Sequence, residues 1–341
     1  MNTLFKTTFR DLSSGSLVRI SRILRKAEKG DVLSVDEIKS LLNIKEGSEE
    51  AYELFEVSRF LANESIHQRG RIWCAIGLDY RPCEVKCNFC SLSKWWGLVK
   101  GVYEISKSDA LKLAKSFIER GAHYIVLRTT EFYSPAKLVE LGLDISSIKP
   151  RDVKLVANTG EVDISWLRRM KEAGFEGLYH TVRLREGVDT GIKPEVRLKT
   201  IKAIREAGLK LYYLVEPIGP EHTHLEIAQA IDLMRRLRPS IIGAMARIPV
   251  PNTPLAHYGQ ISEFDLAKVV AATIIATLPM HEEVEAICVH PPSQLACRAG
   301  ANTLVVDYGA IPRDKGFIHG AWRGFDVENA KEMLRRAGYE I

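Results

Sequence analysis

The sequence contains no run of about 18 or more apolar residues, so no transmembrane helix is expected. Its opening stretch, MNTLFKTTFRDLSSG, lacks the continuous apolar core and the small-residue cleavage site of a signal peptide. A run of like charges is also missing: the formal net charge of +5 comes from interspersed residues and favours acidic partners only slightly. We therefore expect a cytoplasmic protein whose partners include neither a membrane nor a nucleic acid.

No repeat, low-complexity tract or Pro/Ser-rich linker divides the chain. Residues 1–70 have apolar positions at helical spacing, and Ser34-Val-Asp-Glu37 resembles the capping box of a helix start. Strand-like segments then alternate with amphipathic helical ones, which predicts an α/β fold with a parallel sheet. Eight such segments predict closure into a (β/α)8 TIM-type barrel. They are residues 72–78, 124–128, 153–157, 177–182, 209–216, 240–248, 284–290 and 302–308.

This pattern predicts three parts. An N-terminal helical extension covers residues 1–70, and the barrel covers residues 71–325. Residues 326–341 form a C-terminal helix that packs on the barrel.

The stretch RPCEVKCNFCSLSKWW (81–96) holds three of the six cysteines: Cys83, Cys87 and Cys90, spaced CxxxCxxC. Such crowding indicates a metal centre in a reducing compartment rather than a disulfide framework. The stretch follows the first predicted strand, and barrels of this kind place their chemistry at the C-terminal ends of the strands. We therefore expect these cysteines at the mouth of the barrel.

Three thiolates would leave one iron of a [4Fe–4S] cluster with open positions, which can bind the amine and carboxylate of an amino acid. Zinc is the alternative, but it requires a distant fourth ligand, and the sequence has no second CxxC or HxxxH pair. A metal-free set of buried thiols is the remaining alternative.

The CxxxCxxC spacing, its place after the first strand and Phe89 before the last cysteine resemble the radical S-adenosylmethionine (SAM) superfamily. The resemblance implies that Cys83, Cys87 and Cys90 hold a [4Fe–4S] cluster whose fourth iron binds SAM. One electron would then cleave SAM to a 5′-deoxyadenosyl radical. Phe89, by the same resemblance, packs near the adenine.

Residues 50–320 are similar to the biotin-synthase-like branch of that superfamily. The similar segments are CNFCSLS (87–93), AGFEGLYH (173–180), EVRLKTIKAIREAGLKL (195–211), NTPLA (252–256) and ACRAGANTLVVDY (296–308).

This resemblance implies SAM-binding residues. Thr129, Thr130 and Glu131 stand where the superfamily often has GGE, and are candidates to hold the methionyl amine. Arg197 falls on the arginine that pairs with the methionyl carboxylate, a role that suits a guanidinium fork. The alternative interpretation is that Arg197 is a surface residue on an amphipathic helix.

The fourth-strand segment HTVRLREG (180–187) leaves the ribose contact open. Thr181 falls where biotin synthases have a polar side chain near the ribose, whereas Arg183 replaces an acid there. Arg183, Arg185 and Glu186 instead resemble the R-x-E-T segment of hydrogenase maturases.

Biotin synthases hold a second, [2Fe–2S] cluster with three further cysteines and an arginine. The matching strands here carry Val126, Val156 and the pair Tyr212–Tyr213, with no cysteine, so biotin synthesis is not expected.

Cys288 lies on the seventh strand, near the place of that arginine, and alternation puts it on one face with Ala286. It is a candidate catalytic thiol or a ligand of a possible second iron–sulfur cluster; the alternative is a small buried apolar residue. Cys74 and Cys297 are expected in the core. His180 and His290, near strand ends, are either core residues or substrate contacts.

The SLSKWW continuation and the basic segments at the mouth resemble archaeal-type lipoyl synthases, pairs of radical SAM subunits that insert sulfur into an octanoyl chain. That resemblance implies an octanoylated carrier protein or peptide, a second radical SAM subunit and a reductant such as ferredoxin as partners. Methylornithine synthases, hydrogenase maturases and iron–guanylylpyridinol maturases share the barrel and suggest a small polar substrate instead. A non-catalytic iron–sulfur scaffold is the third hypothesis, and it leaves Arg197 and the Thr129–Glu131 segment unexplained.

Overall fold

The computed structural model describes residues 15–310 and 324–341. Eight parallel strands form a closed ring in which the last strand pairs with the first. The predicted TIM-type fold is therefore confirmed. The strands are β1 (Arg71–Gly77), β2 (Tyr124–Arg128), β3 (Lys154–Asn158), β4 (Phe175–Tyr179), β5 (Lys210–Tyr212, continued by Val215–Ile218), β6 (Ile241–Ala246), β7 (Ala286–His290) and β8 (Thr303–Gly309).

Helices surround this ring. Several begin at capping residues: the predicted box at Ser34 and Glu37 is present, and Thr223 forms another with Glu226. The helices are α1 (Gly15–Glu28), α2 (Val35–Leu42), α3 (Glu49–Ile66), α4 (Lys107–Glu119), α5 (Pro135–Ile148), α6 (Ile164–Glu172), α7 (Pro194–Glu206), α8 (His224–Arg236), α9 (Glu263–Thr277), α10 (Gln294–Arg298) and α11 (Val327–Arg336). Within the described part of the chain, no helix has both the length and the apolar character needed to span a bilayer.

The helices α1–α3 pack against the barrel rather than standing apart. The hydroxyl of Ser58 donates to the carbonyl of Ala299 at 2.6 Å, and Lys268 Nζ donates to the carbonyl of Ile44 at 3.1 Å. At the other end of the chain, Gly70 N donates to the carbonyl of Glu340 at 2.6 Å. The division into three parts stays a prediction, and residues 1–14 and 311–323 of those parts lie outside the described residues.

Side chains alternate along each strand between the helix layer and the barrel interior. On β1, Ile72, Cys74 and Ile76 belong to the core beneath the helices, whereas Trp73 and Ala75 face inward. Ala286 and Cys288 lie on one face, as predicted, and that face is the inner one. Val126, Val156 and Tyr212 also face inward.

The interior is therefore layered, as in other barrels of this type. Aromatic rings fill the bottom, small and aliphatic side chains fill the middle, and polar side chains follow at the C-terminal ends of the strands. These top-layer residues are Arg128, Asn158, Glu216, His290 and Asp307. The predicted strand 177–182 ends early, at Tyr179, so His180 and the residues after it form a loop at this mouth.

Candidate active site

The cysteine loop, residues 81–96, follows β1 at the mouth of the barrel. Cys83 N donates to the carbonyl of Leu92 at 2.6 Å, and Lys94 N donates back to the carbonyl of Cys83 at 2.9 Å. The indole of Trp96 donates to the carbonyl of Cys87 at 2.8 Å. These bonds close the loop on itself with the three cysteines inside the turn.

Two other mouth loops hold the cysteine loop through Asn88. Its backbone N–H donates to the carbonyl of Asp189 at 2.8 Å, and its side-chain amide donates to Asp189 Oδ1 at 3.2 Å. The Asn88 carbonyl accepts from Leu255 N at 3.1 Å. Sequence analysis missed Asn88 and Asp189, and only the NTPLA segment pointed to the loop that contains Leu255.

The three thiols influence one another. Burial, followed by the neighbouring Cys90 sulfur, raises the pKa of Cys87 to about 12, against a smaller lowering by Arg183. Burial also raises the pKa of Cys90, which the N–H of Leu92 and the charges of Arg183 and Arg128 lower in part. Two guanidiniums therefore face the place where an anionic thiolate cluster would sit.

The spacing of the thiols argues against a single zinc ion. Tetrahedral Zn–S bonds of about 2.3 Å place their sulfurs about 3.8 Å apart. Among the described residues, however, Cys83, Cys87 and Cys90 do not form a group in which all ligand atoms lie within 4.8 Å of one another. A wider arrangement of three thiols with neighbouring cations fits a [4Fe–4S] cluster, which spreads its cysteines over separate irons.

A small cavity of about 70 Å³ lies beside this loop. It brings together five residues that the sequence predicted as SAM ligands. These are Thr129, Glu131, Thr181, Arg183 and Arg197.

The other three predicted ligands lie elsewhere. Thr130 is buried, and its N–H and hydroxyl both donate to Asp79, at 2.8 and 2.5 Å. Glu186 accepts from Arg183 N at 2.8 Å and from the Thr190 hydroxyl, so it shapes the loop after β4. Phe89 is half-buried in the cysteine loop and lines neither this cavity nor the larger one described below.

Arg197 is the central cation of the small cavity. Its side chain is 3% exposed and lies within ion-pair distance of three carboxylates. Glu131 and Glu186 each lie 3.5 Å away, and Glu161 makes the shortest contact. The alternative of a surface arginine is thus wrong.

Glu131, Arg183 and Arg197 are the charged residues that line this cavity, and further carboxylates lie behind the two guanidiniums. Glu131, Glu161 and Glu186 surround Arg197, and Glu216 lies 3.5 Å from Arg183 Nε. Because SAM carries a sulfonium, an ammonium and a carboxylate, its net charge is positive. Glu131 on the wall could face the ammonium of such a ligand and Arg197 its carboxylate, while the carboxylates behind the wall offset the charge of the two guanidiniums.

Glu161, which the sequence did not predict, is a strongly stabilised carboxylate. Burial alone would raise its pKa, but His180, the Thr200 hydroxyl and Arg197 outweigh burial and lower the pKa to about 2. His180 Nε2 lies 3.3 Å from Glu161 Oε1 and is itself almost fully buried. His180 is thus a wall residue of the small cavity that pairs with Glu161.

We expect a Glu161→Gln variant to be less stable than the parent at pH 7, by about 2–3 kcal/mol, because a carboxyl pKa lowered from 4.5 to about 2 stabilises the folded state. A lowered pKa gives stability that is complete above about pH 4.5 and that is lost as the pH falls toward 2. In urea denaturation, the difference in the free energy of unfolding between the parent and Glu161→Gln should fall at pH 3 to less than half of its value at pH 7. As a control, Glu206→Gln, which removes an exposed ion pair with Lys202, should change stability by less than about 0.5 kcal/mol. If Glu161→Gln lost the same stability at every pH, Glu161 would not be the carboxylate with the lowered pKa.

A larger cavity of about 290 Å³ opens into the barrel and shares Thr129, Asn158, Tyr179 and Arg183 with the small one. Its outer part is polar, and its inner part is apolar. The inner lining residues are Trp73, Ala75, Leu214, Ile241, Met245, Cys288 and Val305. The two cavities therefore place a polar ligand at the mouth next to an apolar space inside the barrel.

Glu216 of β5 is the buried acid between the two cavities. It accepts from the Tyr179 hydroxyl at 2.5 Å, and Arg183 lies on its other side. Burial raises the pKa of Glu216, whereas the Arg183 charge and the Tyr179 bond oppose that rise. Sequence analysis missed Glu216 and Tyr179, although Tyr179 lies in the similar segment AGFEGLYH (173–180).

Cys288 lines the inner part of the larger cavity and is 1% exposed. Burial raises the pKa of its thiol above the ordinary range, so the thiol is neutral. Cys74 and Cys297 are buried in the outer core, as predicted. Among the described residues, Cys288 is thus the one thiol on the cavity wall, and a second cysteine-ligated cluster does not fit this ligand set.

Comparisons with known proteins agree with this geometry. Residues 79–234 match the sequence model of the Radical SAM superfamily. Biotin synthase from Hydrogenobaculum sp. (strain Y04AAS1) is 24% identical over 197 residues, which cover 55% of this chain and 59% of that protein. The match therefore spans less than two thirds of that relative.

Two solved structures share the fold. Methylornithine synthase superposes with a TM-score of 0.77 at 17% identity, over 93% of this chain and 96% of that one. HydG, a maturase of the [FeFe]-hydrogenase, gives a TM-score of 0.71 at 14% identity, over 90% of this chain and 72% of that one.

Proposed function

We propose that this chain, a radical SAM enzyme with biotin-synthase-like relatives, removes a hydrogen atom from an aliphatic carbon chain held in its larger cavity. The observation that carries the proposal is the pair of adjoining cavities. The small one is charged and suits the amino-acid end of SAM, and the larger one has an apolar inner end.

The residues present fit the cofactors of the superfamily. Cys83, Cys87 and Cys90 would hold the [4Fe–4S] cluster. The small cavity of about 70 Å³ would hold the amino-acid end of SAM, since a whole ligand of the size of SAM needs about 300 Å³ or more. Bound there, cluster and SAM supply the one-electron chemistry that removes a hydrogen atom from an unactivated carbon.

The polar residues orient the amino-acid end of SAM. Arg197 presents a guanidinium to its carboxylate, and Glu131 presents a carboxylate to its ammonium. Because Arg197 is already shared by three carboxylates, it is fixed before the ligand arrives, and little side-chain freedom is lost on binding.

The inner wall orients the substrate. Leu214, Ile241 and Val305 offer an apolar surface to methylene groups, while the polar top layer receives the polar end of the molecule. The apolar wall also excludes water from the reacting carbon.

The finer proposal is sulfur insertion into an octanoyl chain on a carrier protein or peptide, together with a second radical SAM subunit and a reductant such as ferredoxin. The amphipathic cavity supports it, since an acyl chain has an apolar end that enters and an amide end that stays at the mouth. Exposed Trp95, with Lys86 and Lys94 near its ring, offers a cationic surface to an acidic carrier.

A second candidate is a reaction on a small polar substrate. Glu216, with Tyr179 and Arg183 around it, would pair with an ammonium group in the cavity. This reaction needs neither a sulfur source nor a carrier.

One experiment separates the two candidates. The anaerobically reconstituted protein is incubated with SAM, dithionite and an octanoyl-lysine peptide, with and without a partner subunit, and in parallel with free lysine and tyrosine. Formation of 5′-deoxyadenosine together with a thiolated or desaturated peptide supports the acyl-chain proposal. Turnover with the amino acids alone overturns it, and absence of 5′-deoxyadenosine under all conditions supports the non-catalytic scaffold.

A further inference from the structure

Aromatic rings close the inner end of the larger cavity. The centroid of the Trp73 ring lies 5.6 Å from that of Tyr124, 5.8 Å from Tyr212 and 6.0 Å from Tyr179. Trp73 lines the cavity, whereas Tyr124 and Tyr212 lie behind it and do not. The Trp73 ring is therefore the floor on which a bound molecule would rest.

The space above this floor exists because the adjacent layer has small side chains. Ala75 lies one layer above Trp73 on the same strand and also lines the cavity. On the opposite wall, Gly243 of β6 pairs in register with Cys288 of β7. Gly243 has φ +145°, and a Cβ there would collide with the Cys288 carbonyl, so this position requires glycine.

The layers fix how an aliphatic molecule can enter. Its polar end stays at the top layer, where Arg128, His290 and Asp307 offer hydrogen-bonding groups. Burying that end among apolar side chains would cost its hydrogen bonds with water. The apolar end therefore points inward, and its length must match the distance from the polar layer to the Trp73 ring.

We propose that Trp73 and Ala75 set the length of the aliphatic chain that the enzyme accepts. The proposal rests on the proposed function, because it assumes that an acyl chain occupies the larger cavity. The Trp73 ring limits how deep the chain can enter the larger cavity. The small side chain of Ala75 leaves the cavity wide enough for the chain to reach that ring. In an apolar pocket of this kind, one methylene too many or too few in the bound chain should change affinity by about tenfold or more.

Two variants with opposite effects test this. Trp73→Phe shortens the floor residue and should shift the preference from octanoyl- toward decanoyl-lysine peptide. Ala75→Val adds methyl groups that enter the cavity and should shift it toward hexanoyl-lysine peptide. Calorimetric dissociation constants for the three peptides, measured with the reconstituted full-length protein and SAM, should change in ratio by about tenfold or more in each variant.

Tyr212→Phe is the matched control. It removes a hydroxyl behind Trp73 without touching the cavity lining, so the parental order of the three dissociation constants should remain. The proposal is overturned if peptides bind to the parent and to both variants with the same length preference. If no acyl peptide binds to the parent, the acyl-chain function itself fails. If the parent binds the peptides but only one of the two variants folds, a shift in the length preference of that variant supports the proposal.

Discussion

A Cys87→Ala variant is expected to lose its iron and its ability to cleave SAM. The iron content should fall from about four per chain to less than about one, because two thiolates cannot hold a cluster that requires three protein ligands here. The loop itself should survive, since Cys87 contributes to it through its backbone carbonyl, which accepts from the Trp96 indole. Iron and sulfide analysis after anaerobic reconstitution, with a 5′-deoxyadenosine assay, measures both effects.

Cys288→Ala is the control for this experiment. Cys288 is buried in the barrel interior, below the polar top layer, so its loss should leave the iron content at about four and 5′-deoxyadenosine formation intact. An equal loss of iron in the two variants would contradict the assignment of the cysteine loop as the whole protein ligand set. If Cys288→Ala keeps its iron but forms less product for each SAM that it cleaves, the Cys288 thiol contacts the substrate instead.

Arg197→Met should weaken SAM binding by about a hundredfold or more and should also destabilise the fold. Removing this guanidinium leaves three carboxylates near it without their common cation, and breaking a buried ion pair from one side typically costs about 3–5 kcal/mol. Arg197→Lys keeps the positive charge but loses the planar guanidinium that can bind a carboxylate through two N–H groups. Compared with Arg197→Met, it should therefore recover more of the lost stability than of the lost SAM affinity. Equilibrium binding of SAM and urea denaturation measure the two effects separately.

Arg235→Met provides the comparison that separates folding from binding. Arg235 is also buried, pairs with Asp232 and donates to the carbonyl of Leu33 at 2.7 Å, on the outside of the barrel. Its loss should lower stability while SAM affinity in the folded protein stays unchanged. If both arginine variants reduce SAM affinity equally, Arg197 acts only through the stability of the fold.

The barrel could be predicted from the sequence because its signal is local. Alternation along each strand identified β1–β8, and on β7 it put Cys288 on one face with Ala286, which the structure shows to be the inner face. The boundaries were less accurate: the predicted strand 177–182 ends at Tyr179, and the predicted strand 209–216 is interrupted after Tyr212. His180 N still donates to the carbonyl of Tyr212 at 3.0 Å, whereas its side chain lies 3.3 Å from Glu161.

The site was predicted only in part because its contacts are distant in sequence. Glu161 meets Arg197 across 36 positions, and Tyr179 meets Glu216 across 37. The resemblance to the biotin-synthase-like branch suggested Arg197 as a carboxylate partner, but it could not show that Glu131, Glu161 and Glu186 surround it. Thr130 illustrates the opposite case: its place in a motif suggested a ligand, while the fold uses it to bind Asp79.

The pairing of β1 with β8 makes the position of the cysteine loop depend on contacts that are distant in sequence. The strand that precedes the cysteines pairs with Thr303–Gly309, which lies far later in the chain. Asn88 in the loop depends in addition on Asp189 and Leu255. The geometry of the three thiols is thus a product of the folded barrel rather than of the loop alone, so a peptide that contains only residues 81–96 should not reproduce it.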